Sequence, residues 1–249
     1  MKEKLPQSEF SGINTGLLHL NIITGGWQNG DLVLLAARPK MGKTRMMIFF
    51  AKTAAAEGFP VCVYSIESNK ESINKLLMLS FSDLSDGSKL PIHINDTAVV
   101  SMDYIRDHSR EMKKQGKCSI IFVDYLQLVD LGSDCATEEQ RFTKALKKAK
   151  TISTELNVPL VLLSQLSRRC ELKGDPRPIL SDLPEYQGTE AVADIAAFLY
   201  RPEYYGFHKD ESGKSLEGYG EIIIAKNLHG PIQNVPYKYN KSMTKLSDY

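Results

Sequence analysis

LVLLAARPKMGKT, residues 32–44, is the stretch whose reading decides the fold. An apolar run, Leu32-Val33-Leu34-Leu35-Ala36, reads as a buried strand. It leads straight into Arg38-Pro39-Lys40-Met41-Gly42-Lys43-Thr44 and then into a long apolar helix. Strand, tight loop, Gly-Lys-Thr and helix form the layout of a phosphate-binding P-loop. Loop N–H groups and the helix N-terminus cradle anionic phosphates. Residues 37–44 (Ala37, Arg38, Pro39, Lys40, Met41, Gly42, Lys43 and Thr44) are therefore the expected nucleotide-binding set. Lys43 brings positive charge to the outer phosphates, and the Thr44 hydroxyl is a Mg²⁺ ligand. Ala37 stands where the usual G-x-x-x-x-G-K-[ST] pattern has its first Gly.

Working outward, the apolar segments alternate between strand and helix patterns. Strands are expected at 61–66, 90–94, 119–124, 158–163, 195–200, 221–227 and 235–239. A short helix is expected within 15–23, and longer ones at 43–57, 68–81, 101–114 and 138–156. The second of these is apolar nearly all round, which places it between layers. Ser68-Asn69-Lys70-Glu71 reads as a capping box for the next. Segment 168–188 reads as a long polar loop, and 204–220 as a mobile connection. Such alternation predicts an α/β fold: a mostly parallel sheet flanked by helices, ending in later strands. Residues 1–13 read as an N-terminal arm and 14–249 as one domain.

In such sheets ligands bind outside the C-terminal strand ends. Four ends carry functional groups here: the P-loop, Glu67, Asp124 and Gln165. Asp124 follows four apolar residues and suits a Mg²⁺-holding carboxylate. Glu67 suits a base for the attacking water, though a helix-start Glu fits the same spacing. Gln165 is either a γ-phosphate sensor or a plain loop residue. The loop after it is basic (Arg168, Arg169, Lys173, Arg177), a place for DNA phosphate contacts or simply a solvated face. The tyrosines near 204 and 237–239 suit core packing or base stacking.

Composition narrows the class. The chain has 249 residues, and Lys+Arg 31 against Asp+Glu 30 gives net charge +1, so nucleic-acid contacts must be local. Four scattered cysteines, Cys62, Cys118, Cys135 and Cys170, have no C-x-x-C pairing and read as buried thiols in a reducing, cytoplasmic setting. No apolar run approaches a membrane span.

Taken together, the motifs resemble the C-terminal RecA-like ATPase domain of DnaB-type replicative helicases. The matching stretches are TGLLHLNIITGGWQNGDLVLLAARPKMGKT (15–44), YSIES (64–68), LPIHINDT (90–97) and FVDYLQL (122–128). ELNVPLVLLSQLSR (155–168), RPILSDLPE (177–185), ADIAAFLYR (193–201) and EIIIAKNLHGP (221–231) complete them. In that family the AARPxMGKT form is usual, so Ala37 fits. The resemblance implies a RecA-like fold without the N-terminal collar domain, ATP and Mg²⁺ as cofactors, and catalytic roles for Lys43, Glu67, Asp124 and Gln165. It also implies Thr44 and Asp124 on the metal, and Lys226 reaching the nucleotide of a neighbouring subunit in a hexameric ring. Single-stranded DNA and replication proteins are the implied partners, with Glu185 joining the basic loop at DNA. Two departures stand out: Leu228 occupies the position of the family's trans-acting Arg, and Pro184 replaces an Arg of its DNA loop. They keep a second reading open, a non-motor nucleotide-binding accessory or regulatory module.

Overall fold

A computed structural model describes residues 10–80, 90–97, 100–126, 129, 137–183 and 191–249. Pro184, Glu185 and Cys135, and the Arg169 side chain, lie outside the described residues.

Among the described residues the eight expected strands and one more form a nine-stranded sheet, ordered β3-β2-β4-β5-β1-β6-β7-β8-β9. Its parallel part comprises β3 (Ile92–Asn95), β2 (Val61–Ser65), β4 (Ile120–Asp124), β5 (Leu160–Gln165), β1 (Leu32–Ala37) and β6 (Ile195–Tyr200). Strands β7 (Tyr219–Asn227), β8 (Asn234–Tyr239) and β9 (Leu246–Asp248) continue it as an antiparallel meander. The central strands are buried along their whole length, as a parallel sheet covered on both faces requires. Side chains alternate between two cores. Val33, Leu35 and Ala37 face one with α1 (Leu18–Thr24) and α2 (Lys43–Ala56), while Leu32, Leu34 and Ala36 face the other with α5 (Glu138–Leu156). Helix α2 buries Met46, Met47, Ile48, Phe50, Ala51, Ala54 and Ala55, matching its all-round apolar pattern.

Several expected boundaries move. Helix α3 (Lys70–Ser80) starts not from a Ser68 box but from Asn69, whose side chain accepts from Ser72 N at 2.9 Å. Ser65 Oγ donates to Ser68 O instead, turning the chain before the helix. Helix α4 (Met102–Lys114) matches its expected span and is capped by Ser101, whose Oγ accepts from Tyr104 N at 3.1 Å. The polar loop after β5 folds into 3-10 turns at Arg168–Leu172 and Leu180–Asp182. The connection read as mobile is built: a 3-10 turn at Pro202–Tyr205 leads to a Lys209–Ser215 bridge around Asp210. The Asp210 carboxylate accepts from Ser212 and Lys214 backbone N–H groups, local bonds a composition reading cannot foresee. Strand β9 also went unpredicted. Its Asp248 carboxylate accepts from Leu18 and His19 N, capping α1 from 229 residues away. Within the stretch read as an arm, Ile13 is buried and bridges to Trp27.

At the foot of β1 lies a charge cluster. Lys150 spans from α5 to Asp194 (2.7 Å) and Gly30 O (3.0 Å). His229, just beyond β7, bonds Asp31 at 2.5 Å. These contacts pin the end of β7 to the N-terminal end of β1, opposite the P-loop.

Candidate nucleotide site

The P-loop follows β1 between β5 and β6, where the chain leaves on one side of the sheet and returns on the other. Gly42 caps α2 in the left-handed region, φ 98°, a conformation glycine adopts without cost. It turns the chain so that α2's first N–H groups open towards the strand ends. Met41 points inward and is fully buried, which anchors the loop.

Thr44, in the first turn of α2, donates its hydroxyl to Asp124 Oδ2 at 2.6 Å. Asp124 ends β4, which β5 separates from β1, so sheet order brings together two residues 80 apart. The other carboxylate oxygen, Oδ1, is buried without a partner. A buried acceptor is normally satisfied, so an unsatisfied one beside a Thr hydroxyl suits a hard cation. Among the described residues no group of three or more His, Cys, Asp or Glu could hold a metal. One carboxylate plus one hydroxyl, with phosphates completing the shell, is the donor set Mg²⁺ takes.

Burial pushes the Asp124 carboxyl above its usual pKa and the Thr44 hydrogen bond opposes it; nearby Glu67 raises it further and Lys43 lowers it. Lys43 is itself buried, which lowers its pKa, while Asp124 and Glu67 hold its charge. Its Nζ lies 5.9 Å from the centroid of the Tyr125 ring. Glu67 is exposed two residues beyond β2, rather than directly at its end, and is held near Asp124 because β2 pairs with β4. Gln165 is the last residue of β5 and pairs with Ala37, directly beside the loop. The four strand ends thus converge on one cleft.

Not every expected contact points there. The Arg38 side chain turns away from the cradle. It donates to Leu166 O at 2.7 Å and from Nε to Glu171 at 2.8 Å, tying the P-loop to the 3-10 turn after β5. Burial works most strongly against its charge, but the Glu171 hydrogen bond and negative charge, with smaller help from Cys170 and Tyr204, together outweigh it and leave the guanidinium above its usual pKa. Glu171→Gln should lower the melting temperature by about 3–6 °C, since a charge-assisted bond to a nearly buried Arg is worth about 1.5 kcal/mol. A thermal melt checks this; an unchanged midpoint would refute it.

The basic loop residues are also largely engaged. Arg177 pairs with Glu221 at 2.9 Å and lies over the Tyr200 ring at 4.7 Å. Lys173 pairs with Asp182 at 2.6 Å. Arg168 is exposed. Arg177 and Glu221 are 44 residues apart, beyond the reach of any local pattern.

Lys226 pairs with Ala196 of β6, and its Nζ donates to Ala193 O. Beyond it, Leu228 is 63% exposed, with its N–H on Asp194 O at 3.1 Å. The loop holding Leu228 sits near Asp31, six residues before Ala37, or roughly 20 Å along β1 from the cradle. Sequence reading missed one wall entirely. Arg201, after β6, donates to Lys40 O at 3.4 Å and lies 4.6 Å from the centroid of the Tyr239 ring. Its only sequence signal was a lone Arg after an apolar strand.

A parallel sheet with a P-loop at its switch point, a Lys–Thr pair and a facing carboxylate defines a P-loop NTPase fold, here RecA-like. The chain belongs to the DnaB-like helicase C-terminal domain family, whose model matches residues 12–88 and 79–248. It is 33% identical over 262 residues to the replicative DNA helicase DnaB of Geobacillus stearothermophilus. It is 32% identical over 282 residues to that of Rickettsia felis. Those alignments cover 96% and 95% of this chain, which spans 57% of each relative. A solved ATPase domain superposes with TM-score 0.88 at 30% identity, covering 98% of this chain and 93% of the other. A solved DnaB-like replicative helicase, described with its interactions with primase, gives TM-score 0.87 at 30% identity, covering 98% of this chain and 65% of the other. Among the described residues no helix is long and apolar enough to cross a membrane.

Proposed function

We propose that this domain binds ATP with Mg²⁺ and hydrolyses it as a DNA-dependent motor on single-stranded DNA. The observation that carries the reading is the 2.6 Å bond from Thr44 to Asp124, with an unpartnered carboxylate oxygen beside it and buried Lys43 behind. Mg²⁺, when bound, would neutralise phosphate charge between Thr44 and Asp124. Lys43 keeps its positive charge in a low-dielectric setting, where it stabilises charge developing on the outer phosphate. Glu67, exposed at the cleft, orients a water and takes its proton. Gln165 relays the state of the cleft into the loop after β5. Arg168 presents positive charge to DNA phosphates, with Arg169 of the same loop, while the Glu185 carboxylate brings an acceptor and no positive charge. The Lys226 Nζ is turned back to Ala193 O before β6, away from its own cradle, which supports a role at the nucleotide of a neighbouring copy in a ring.

Turnover measured with and without single-stranded DNA tests this. DNA should stimulate the wild type, and Lys43→Ala should cut turnover by about 10²-fold. Absence of stimulation together with indifference to Lys43→Ala would overturn the proposal.

One observation favours a second reading, an accessory module docking on other replication proteins. Exposed Leu228 stands where the family carries its trans-acting Arg. Tight nucleotide binding by a monomer with negligible turnover, DNA present, would select it. Replication partners, primase-like or otherwise, belong equally to both readings.

A further inference from the structure

We propose that Met243, at the tip of the β8–β9 turn, is a positioning residue for the phosphate cradle. It seats Gly42 and so sets the direction of the Lys43 and Thr44 N–H groups. The inference rests on the reading that ATP binds this cradle.

The contact is close and specific. A Cβ built on Gly42 would stand 2.6 Å from both the Cε and the Sδ of Met243. The thioether therefore lies against the Gly42 backbone itself, at the residue whose left-handed turn starts α2. Met243 is 5% exposed and belongs to the same core as Met41 of the loop. A flexible thioether fills an irregular gap of this kind well.

The turn is built to hold Met243 there. Met243 is itself left-handed, φ 50°, a region non-glycine residues rarely adopt. Asn240 enforces it as a hub. Its carbonyl accepts from Met243 N at 2.7 Å, and its Oδ1 accepts from Thr244 N at 2.8 Å and Lys245 N at 3.1 Å. Its Nδ2 donates to Thr244 Oγ1 at 3.0 Å. From the other side, Arg45 in the first turn of α2 donates to Ser242 O. With Arg201 on Lys40 O, the C-terminal meander holds the P-loop segment at Lys40, Gly42 and Arg45. Phosphate recognition by backbone amides depends on their direction, and small misplacements are costly. Packing on Gly42 is thus a handle on nucleotide affinity.

Steady-state kinetics with Mg·ATP tests this on the full chain. Met243→Ala should raise KM for ATP about tenfold while kcat stays within about threefold. Asn240→Ala, which keeps Met243 but unties the turn, should move KM the same way. Met243→Leu, of similar volume, should restore KM to within about twofold. Ile152→Ala, an equally buried deletion in the opposite core, controls for lost stability and should leave KM unchanged. An unchanged KM in Met243→Ala and Asn240→Ala, or an equal rise in Ile152→Ala, overturns the proposal alone. If the wild type itself shows no Lys43-dependent ATP binding, the nucleotide reading fails and this proposal falls with it.

Discussion

Asp124→Asn should cut ATP turnover by about 10³-fold, yet leave the ligand-free domain at least as heat-stable as the wild type at pH 7. The two effects share one cause. Asp124 is fully buried, and one of its oxygens has no partner. Burial raises its pKa above the unfolded value, Thr44 and Lys43 offsetting only part of this. A carboxyl whose folded pKa is raised contributes fully to stability only below its unfolded pKa, about 3.9. That contribution is lost as pH rises through the folded pKa. At neutral pH the ionised group therefore costs stability, and neutral Asn removes the cost while still accepting from Thr44. The gap in melting temperature between variant and wild type should open as pH rises from about 4 and then level off. Turnover falls because the carboxylate suited to Mg²⁺ is gone. Melts across pH, together with ATPase rates, check both halves. A variant melting well below the wild type at pH 7, or turning over within tenfold of it, would refute this account.

Leu228→Arg should raise turnover by about 10²-fold or more, and only at protein concentrations where copies associate. A guanidinium supplied in trans to a transferring phosphoryl group is worth about 10³–10⁵ in kcat in other NTPases. Here the backbone is already fixed to present one. Leu228 N–H is held by Asp194 O, Asn227 Nδ2 bonds Ile23 O at 3.0 Å, and His229 bonds Asp31. The Leu228 side chain is exposed, so the substitution disturbs no packing. An equimolar mixture of a Lys43→Ala/Leu228→Arg chain with wild type separates the roles: the double variant is crippled in its own cradle but can lend its Arg. Stimulation of the wild type by this mixture supports action in trans. A gain that persists on dilution, or no gain, would sink the idea.

Much of the site was legible because its residues stand at the ends of apolar runs. A strand needs its apolar side chains and a ligand site needs its strand end, so Lys43, Thr44 and Asp124 stand out as candidates by position, whereas position alone leaves Gln165 open between sensor and plain loop residue. Glu67 was legible too, although β2 stops at Ser65 and leaves it on the turn. The basic loop was less so. Charge alone does not say whether Lys173 and Arg177 face solvent or fold back on Asp182 and Glu221, because the first pairing is set by the 3-10 turn at Leu180–Asp182 and the second by the path of β7. Arg38 carried the same ambiguity inside the P-loop, and its partner Glu171 lies 133 residues away.

The sequence by itself determined the class of this protein. A strand–loop–helix with Gly42-Lys43-Thr44 and a carboxylate closing a later strand depends on local periodicity and local turn geometry. Only the tertiary structure decided what surrounds the cradle. It put β5 between β1 and β4, which sets the Thr44–Asp124 distance. It laid the antiparallel strands beyond β6, bringing Arg201, Ser242 and Met243 onto the P-loop, while Leu228 was carried to the far end of β1. Those placements come from strand order and pairing register, which join residues far apart in the chain, and no local pattern encodes them.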